Sequence, residues 1–204
     1  MAASAALAVA YGAVWVLRPE SLSRSVLKAS AVALLALAAL ADGAPGALTL
    51  ALGLGALGDW CLSRPGQRPF LTGVAAFAAA HLALIWLMLG AGAEVALRSW
   101  PALGLLGLAA FMAFLLWRAA GALRGPVVAY VGIIAAMGLV ALGLPEVYAT
   151  GRWAAALFIF SDSLLAVEYF LARRESALRA RVLWAAYWAA QALFLLSFAE
   201  AGGL

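Results

Sequence analysis

Eight apolar stretches, separated by connections of only a few residues, occupy almost the whole of this chain. Each is about the roughly 20 residues that a helix needs to cross a hydrocarbon layer. Apolar runs and their breakers place helices at about Ala2 to Leu17, Arg24 to Ala41, Ala47 to Leu62 and Pro69 to Ala91. Four more run from Pro101 to Ala120, Pro126 to Leu144, Gly151 to Leu171 and Leu178 to Phe198. Pro69, Pro101 and Pro126 are read as first helical positions, where a missing backbone donor costs nothing. With 68% hydrophobic and 11% charged residues among 204, the apolar side chains outnumber what a core of this size can hide from water. The expected fold class is therefore an all-α integral membrane protein, an eight-transmembrane-helix bundle in one polytopic domain over residues 1–204.

The charges give this bundle a direction. Connections after the first, third, fifth and seventh helices hold Arg18, Arg24, Lys28, Arg64, Arg68, Arg118, Arg124, Arg173, Arg174, Arg179 and Arg181, whereas the other side holds Arg98 and Arg152. Cytoplasmic loops concentrate Lys and Arg, so both termini are expected outside the cytoplasm, with the inner membrane of a bacterium as the expected location. The net charge of +4 reads as a topology signal rather than as a nucleic-acid footprint. No basic n-region precedes the first apolar stretch, which is read as a span and not as a signal peptide. One His and one Cys cannot close a zinc site of Cys and His ligands, and no disulfide forms within such a chain; neither metal nor cofactor is expected.

Ionisable groups inside spans are costly and by default functional. Measured from the cytoplasmic helix ends at about 1.5 Å per residue, Lys28, Asp59 and Tyr130 lie roughly 6 to 8 Å deep, and Tyr187, Asp162, Gln191 and His81 about 10 to 18 Å. Plainer roles exist for most of them. Lys28 either snorkels to the interface or turns inward, Tyr130 and Tyr187 either pack or bind, and Gln191, one turn after Tyr187, either ties helices together or serves a site. A single His81 is either a hydrogen-bonded structural residue or a participant. The two aspartates resist a structural explanation, because a carboxyl inside a bilayer needs a partner or a purpose. Asp59 follows Gly53, Gly55 and Gly58, small residues that allow close approach, and Asp162 stands between Ser161 and Ser163. One carboxyl nearer the water and one deeper form the kind of unequal pair that acid and base catalysis uses. Asp162 is then the expected acid and Asp59 the expected base, with the reverse left open.

Other chemistries fit less well. A retinal protein needs a lysine deep in a span, zinc-dependent membrane hydrolases of the ceramidase type use several histidines, and no Gly-x-Ser-x-Gly elbow supports a serine nucleophile. A proton-coupled transporter of lipid or small solute is the alternative from another class, since Asp and His at mid-depth suit a proton relay.

Four stretches resemble the YhhN-like membrane proteins, whose animal members are lysoplasmalogenases. They are Gly58-Asp59 with Phe70, Gly73, Phe77 and His81; Pro126 to Tyr130 with Met137; Phe160 to Ala166 around Ser161-Asp162-Ser163; and Tyr187 with Gln191. Lys28 matches a family lysine, whereas Ala29 stands where a Pro usually follows it and Trp188 where a second Tyr is common. The resemblance implies an eight-helix bundle without cofactor that hydrolyses the vinyl ether of a lysoplasmalogen to a fatty aldehyde and a glycerophospho-base. It implies Asp59 and Asp162 as the acid/base pair, with Lys28, His81, Tyr130, Ser161, Tyr187 and Gln191 around the substrate. A lysophospholipid and the surrounding membrane lipid are the expected partners.

The charge count yields a direct test. With Cys61 replaced, cysteines introduced at Ala2 and at Gly203 should both react with an impermeant thiol reagent added outside intact cells; labelling of one end alone would break the eight-span reading.

Overall fold

The computed structural model describes residues 1–172, 174 and 176–201; Arg173, counted above among the loop cations, and Gly203 lie outside them. The described residues form eight helices and no strand. They are α1 (Ala2–Ala10), α2 (Leu22–Ala41), α3 (Gly46–Leu62), α4 (Gln67–Gly90), α5 (Trp100–Ala119), α6 (Arg124–Leu142), α7 (Ala149–Ala166) and α8 (Ala177–Ala201). α1 and α7 each continue into a wider π turn, Tyr11–Trp15 and Val167–Leu171. Six of the helices are long and apolar enough to cross a membrane; α1 with its π turn and α3 are shorter.

Local chemistry sets several ends. Ser21 and Ser99 adopt extended backbone and accept from the N–H of Arg24 and Ala102, capping α2 and α5. The three helix-starting prolines fall inside the first turn rather than on its first residue: Pro69 follows Gln67, Pro101 follows Trp100, and Pro126 follows Arg124. The difference is small physically, because none of the first-turn N–H groups has an intrahelical acceptor, and a ring there displaces no bond.

Packing closes six helices into a ring. α2 packs on α3, α3 on α4, α4 on α6, α6 on α7, α7 on α8, and α8 returns to α2 and α3. α1 and α5 lie outside this ring, α1 against α2 and α5 against α6 and the π turn after α7. α1 is tied down by polar bonds at its small residues: Ser4 donates to the Ala31 carbonyl at 2.5 Å and accepts from the Trp188 indole at 3.0 Å, and the Trp184 indole donates to the Ala8 carbonyl at 2.9 Å. α5 has no such ties and buries only Ala102, Met112 and Leu116 along its length.

Glycine permits the tightest approach between elements. The connection after α4 crosses the end of α6, where the Glu94 N–H donates to the Gly143 carbonyl, and a Cβ on Gly143 would lie 1.7 Å from the Glu94 carbonyl oxygen. Backbone cannot swing aside as a side-chain tip does. Gly143→Ala should therefore destabilise the protein by about 1 to 3 kcal/mol, the usual cost of overpacking, read as a lowered Tm in detergent. Gly53→Ala, which lies inside α3 and meets nothing within 4 Å, should keep or slightly raise the Tm.

Candidate functional site

Each of the six ring helices sends a polar side chain inward, and the two outer helices send none of those singled out in the sequence. Lys28 comes from α2, Asp59 from α3, His81 from α4, Tyr130 from α6, Ser161 and Asp162 from α7, and Tyr187 with Gln191 from α8. Small residues make this convergence possible. A Cβ on Gly55 would lie 2.6 Å from Gln191 Nε2 and 3.3 Å from the Tyr187 hydroxyl, and one on Gly58 would strike the Phe77 ring. Gly73 in turn lies against Leu62 and the Gly58 carbonyl. The glycines before Asp59 thus bring α4 and α8 onto the face of α3 that carries the carboxyl.

The polar groups fall into two linked clusters. In the first, Lys28 Nζ lies 2.9 Å from Asp59 Oδ1, with the lysine side chain 16% and the aspartate 1% exposed. Lys28 therefore turns inward and does not snorkel. Gln191 Nε2 donates to the Tyr187 hydroxyl at 3.1 Å, and that hydroxyl stands beside the Asp59 carboxyl. Asp59 Oδ2 is buried without a hydrogen-bond partner. In the second cluster the Tyr130 hydroxyl donates to Asp162 Oδ2 at 2.7 Å, and His81 Nε2 lies 3.8 Å from the same oxygen. His81 Nδ1 is 2.6 Å from the Phe77 carbonyl, which only accepts, so Nδ1 carries the proton and donates. In the neutral ring Nε2 is then a bare acceptor; it is fully buried and unpartnered.

Aromatic rings pack between the two clusters and touch members of both. Phe158 packs edge-on against both His81 and Tyr187, and Phe77 edge-on against Tyr187. Ser161 is buried next to the Asp162 carboxyl, whereas the Ser163 hydroxyl donates back to the Ile159 carbonyl at 2.8 Å and is committed there.

Asp162 also borders an apolar cavity between α4, α5, α6 and α7, in which it, Ser163 and the tyrosines Tyr130 and Tyr169 are the polar lining residues. Its side chain is 8% exposed against 1% for Asp59, so enclosure runs opposite to the depth counted along the helices. Distance from a helix end measures position along the axis; it does not say which side of the helix faces a cavity. The polar-residue reading passes over Phe77 and Phe158; Phe77 is named only among the residues of the family resemblance, one helical turn before His81, and Phe158 has no signal in the sequence.

An all-helical apolar bundle with a buried lysine–carboxylate pair and a second carboxyl opening on an apolar cavity defines a class of intramembrane site. The chain belongs to the YhhN family, whose model matches residues 23–198. No curated protein and no solved structure matches it. Trp188, which departs from the family's usual tyrosine, is used here to hold α1 through Ser4.

The Lys28–Asp59 pair supports a stability test. Lys28→Met strands a carboxylate in an apolar interior and should cost about 3 kcal/mol, the lower end for breaking a buried ion pair. Lys28→Met combined with Asp59→Asn should recover most of that loss in equilibrium unfolding; if the double variant is as unstable as the single one, the pair is not what Lys28 contributes.

Proposed function

We propose that the protein is a lysoplasmalogenase-type hydrolase that cleaves the vinyl ether of a single-chain lysophospholipid to a fatty aldehyde and a glycerophospho-base. The observation that carries the reading is Asp162: a carboxyl with no cation of its own, held by a tyrosine, at the wall of an apolar cavity. A vinyl ether reacts first by protonation at carbon. In this scheme Asp162 gives its proton to the alkenyl carbon remote from the ether oxygen, the double-bond electrons form the new C–H bond, and an oxocarbenium ion results. Water adds to that cation and loses a proton to Asp59, whose Oδ2 is a buried acceptor without a partner. The hemiacetal then collapses to aldehyde and alcohol; Asp162 has given one proton and Asp59 has gained one, and the cycle closes when Asp59 releases its proton to water and Asp162 takes one up. Lys28 keeps Asp59 in its carboxylate form, and Tyr130 orients Asp162. His81, Ser161, Tyr187 and Gln191 complete the polar wall. No enzyme nucleophile is required.

The same reading takes all eight helices as spans of one domain in the inner membrane, both termini outside the cytoplasm. Arginines stacked on aromatic rings support this orientation: Arg18 on Trp15, Arg64 on Trp60, Arg118 on Phe114 and Arg124 on Trp117 all sit where the basic connections begin or end. Exposed Trp86, Trp100 and Trp153 lie near the opposite helix ends, as an interfacial belt requires. The four helices that carry Asp59, His81, Tyr130 and Asp162 run unbroken through those residues, unlike the discontinuous helices of transporter binding sites.

Purified protein given vinyl-ether, saturated-ether and ester lysolipids should release aldehyde from the first alone. Asp59→Asn and Asp162→Asn should each lower turnover per folded molecule by about 10² to 10⁴, the usual worth of one acid/base group. Asp162→Asn should leave protein yield unchanged, whereas Asp59→Asn, which strands Lys28, should lower it unless Lys28→Met is added. Ser161→Ala and Ser163→Ala should be far milder. Fatty acid released from an ester lysolipid, and abolished by a serine substitution but by neither Asp substitution, would overturn the mechanism.

A further inference from the structure

The cavity in front of Asp162 has a neighbour. A second, more open cavity lies further along α5, α6 and α7 toward Pro101 and Arg152. Leu105, Leu108 and Ile159 line both. Between them stands Gly138, where a Cβ would lie 2.6 Å from Leu105 Cδ2 and 2.7 Å from Ile159 Cδ1. The tips of two flexible side chains from α5 and α7 thus close over bare backbone of α6.

We propose that Leu105, Gly138 and Ile159 form a waist through which the distal part of the substrate's alkyl chain passes into the outer cavity, so that these three residues set the chain length accepted. The inference rests on the lysolipid reading above and adds the direction in which the lipid lies. Three observations fix that direction. Arg152, the cation at the far end of the outer cavity, is already engaged by the Glu146 carboxylate and the Leu144 carbonyl, so an anionic headgroup finds no free partner there. Arg118 and Arg124 stand at the opposite ends of α5 and α6, beyond the inner cavity. Along α7, Asp162 to Ile159 is about 4.5 Å and Ile159 to Arg152 about 10 Å more at 1.5 Å per residue, so a chain reacting at Asp162 meets the waist within its first few carbons.

The discrimination is steric. A lipid tail arriving from a bilayer or micelle is already in apolar surroundings, so entering an apolar cavity gains little transfer energy, and fit at the narrowest point decides. Glycine at 138 matters because it adds no side chain of its own where the Leu105 and Ile159 tips meet α6, and such tips change rotamer readily. α5 reinforces this, since it packs on α6 and the π turn after α7 but is not tied by side-chain hydrogen bonds within its span among the described residues.

The test uses the full chain in detergent, with octyl and hexadecyl saturated-ether lysolipids for binding and the matching vinyl-ether lysolipids for turnover. Leu105→Phe narrows the waist from α5, Ile159→Phe narrows it from α7, and Leu105→Ala widens it. Each Phe variant should shift the hexadecyl-to-octyl binding ratio against the long chain by about tenfold, within the range that overpacking produces, and Leu105→Ala should not. An unchanged ratio in both Phe variants would overturn the waist and place the tail in the surrounding lipid; failure of the wild-type protein to bind either ether would overturn it as well. A shifted binding ratio with no aldehyde from any vinyl ether would leave the waist standing and remove the hydrolase reading instead.

Discussion

A carboxylate inside an apolar bundle must be answered by a cation or a proton, and the Lys28–Asp59 pair is the answer around which this ring of helices is arranged. It joins α2 to α3 at a point where Asp59 has almost no exposure, so neither helix can rotate without stranding a charge. From there the constraint spreads by packing. Gly55 lets Tyr187 and Gln191 of α8 reach the same face, Gly58 and Gly73 let α4 lie close enough for Phe77 to cover it, and the Phe77 carbonyl fixes the tautomer of His81. His81 then faces Asp162 with a bare nitrogen. The tautomer of His81 is thus set within α4 itself, on the helix whose Phe77 packs against Gly58 of α3.

The two carboxyls illustrate how environment divides labour between identical groups. Asp59 has a lysine and an adjacent tyrosine hydroxyl; Asp162 has a tyrosine donor, a histidine nitrogen 3.8 Å away and a cavity, but no cation in contact among the described residues. An acid must touch the atom it protonates, which favours the residue that borders the cavity. A base must remain charged before it acts, which favours the residue beside a lysine. The division of roles expected from depth along the helices is the one proposed above as well, but on different grounds: partner and access rather than depth.

Much of the fold was legible in the sequence because lipid imposes a simple rule, that backbone polar groups be satisfied within each segment, and apolar runs with Gly and Pro punctuation expose that rule directly. Helix ends agree within a few residues, and the prolines miss only the exact position within the first turn. The site was half legible. Intramembrane cost singled out Lys28, Asp59, His81, Tyr130, Asp162, Tyr187 and Gln191 one by one, and the ring brings them together. Their pairing was not, because depth gives one coordinate and partner choice needs the angular one. Nothing in the spacing says that Ser161 turns toward Asp162 while Ser163 bonds back to Ile159, or that Lys28 faces inward. α5 was least legible of all. Its sequence is as apolar as any other span, and only packing shows that it stands outside the ring.

That outside position is what leaves an apolar cavity beside the ring. Six helices in a closed ring leave their interior filled by side chains, as His81, Phe158 and Tyr187 fill it here. A seventh helix laid against one seam adds a wall without closing the space behind it, and the apolar cavities appear along α5. The polar interior therefore meets the lipid-like cavity along one line, on α7 at Asp162. A lipid bound there presents one bond to the carboxyl while the rest of its chain touches only hydrocarbon. That is the geometry a reaction needs when its substrate is almost entirely tail and its chemistry is confined to two carbons and an oxygen.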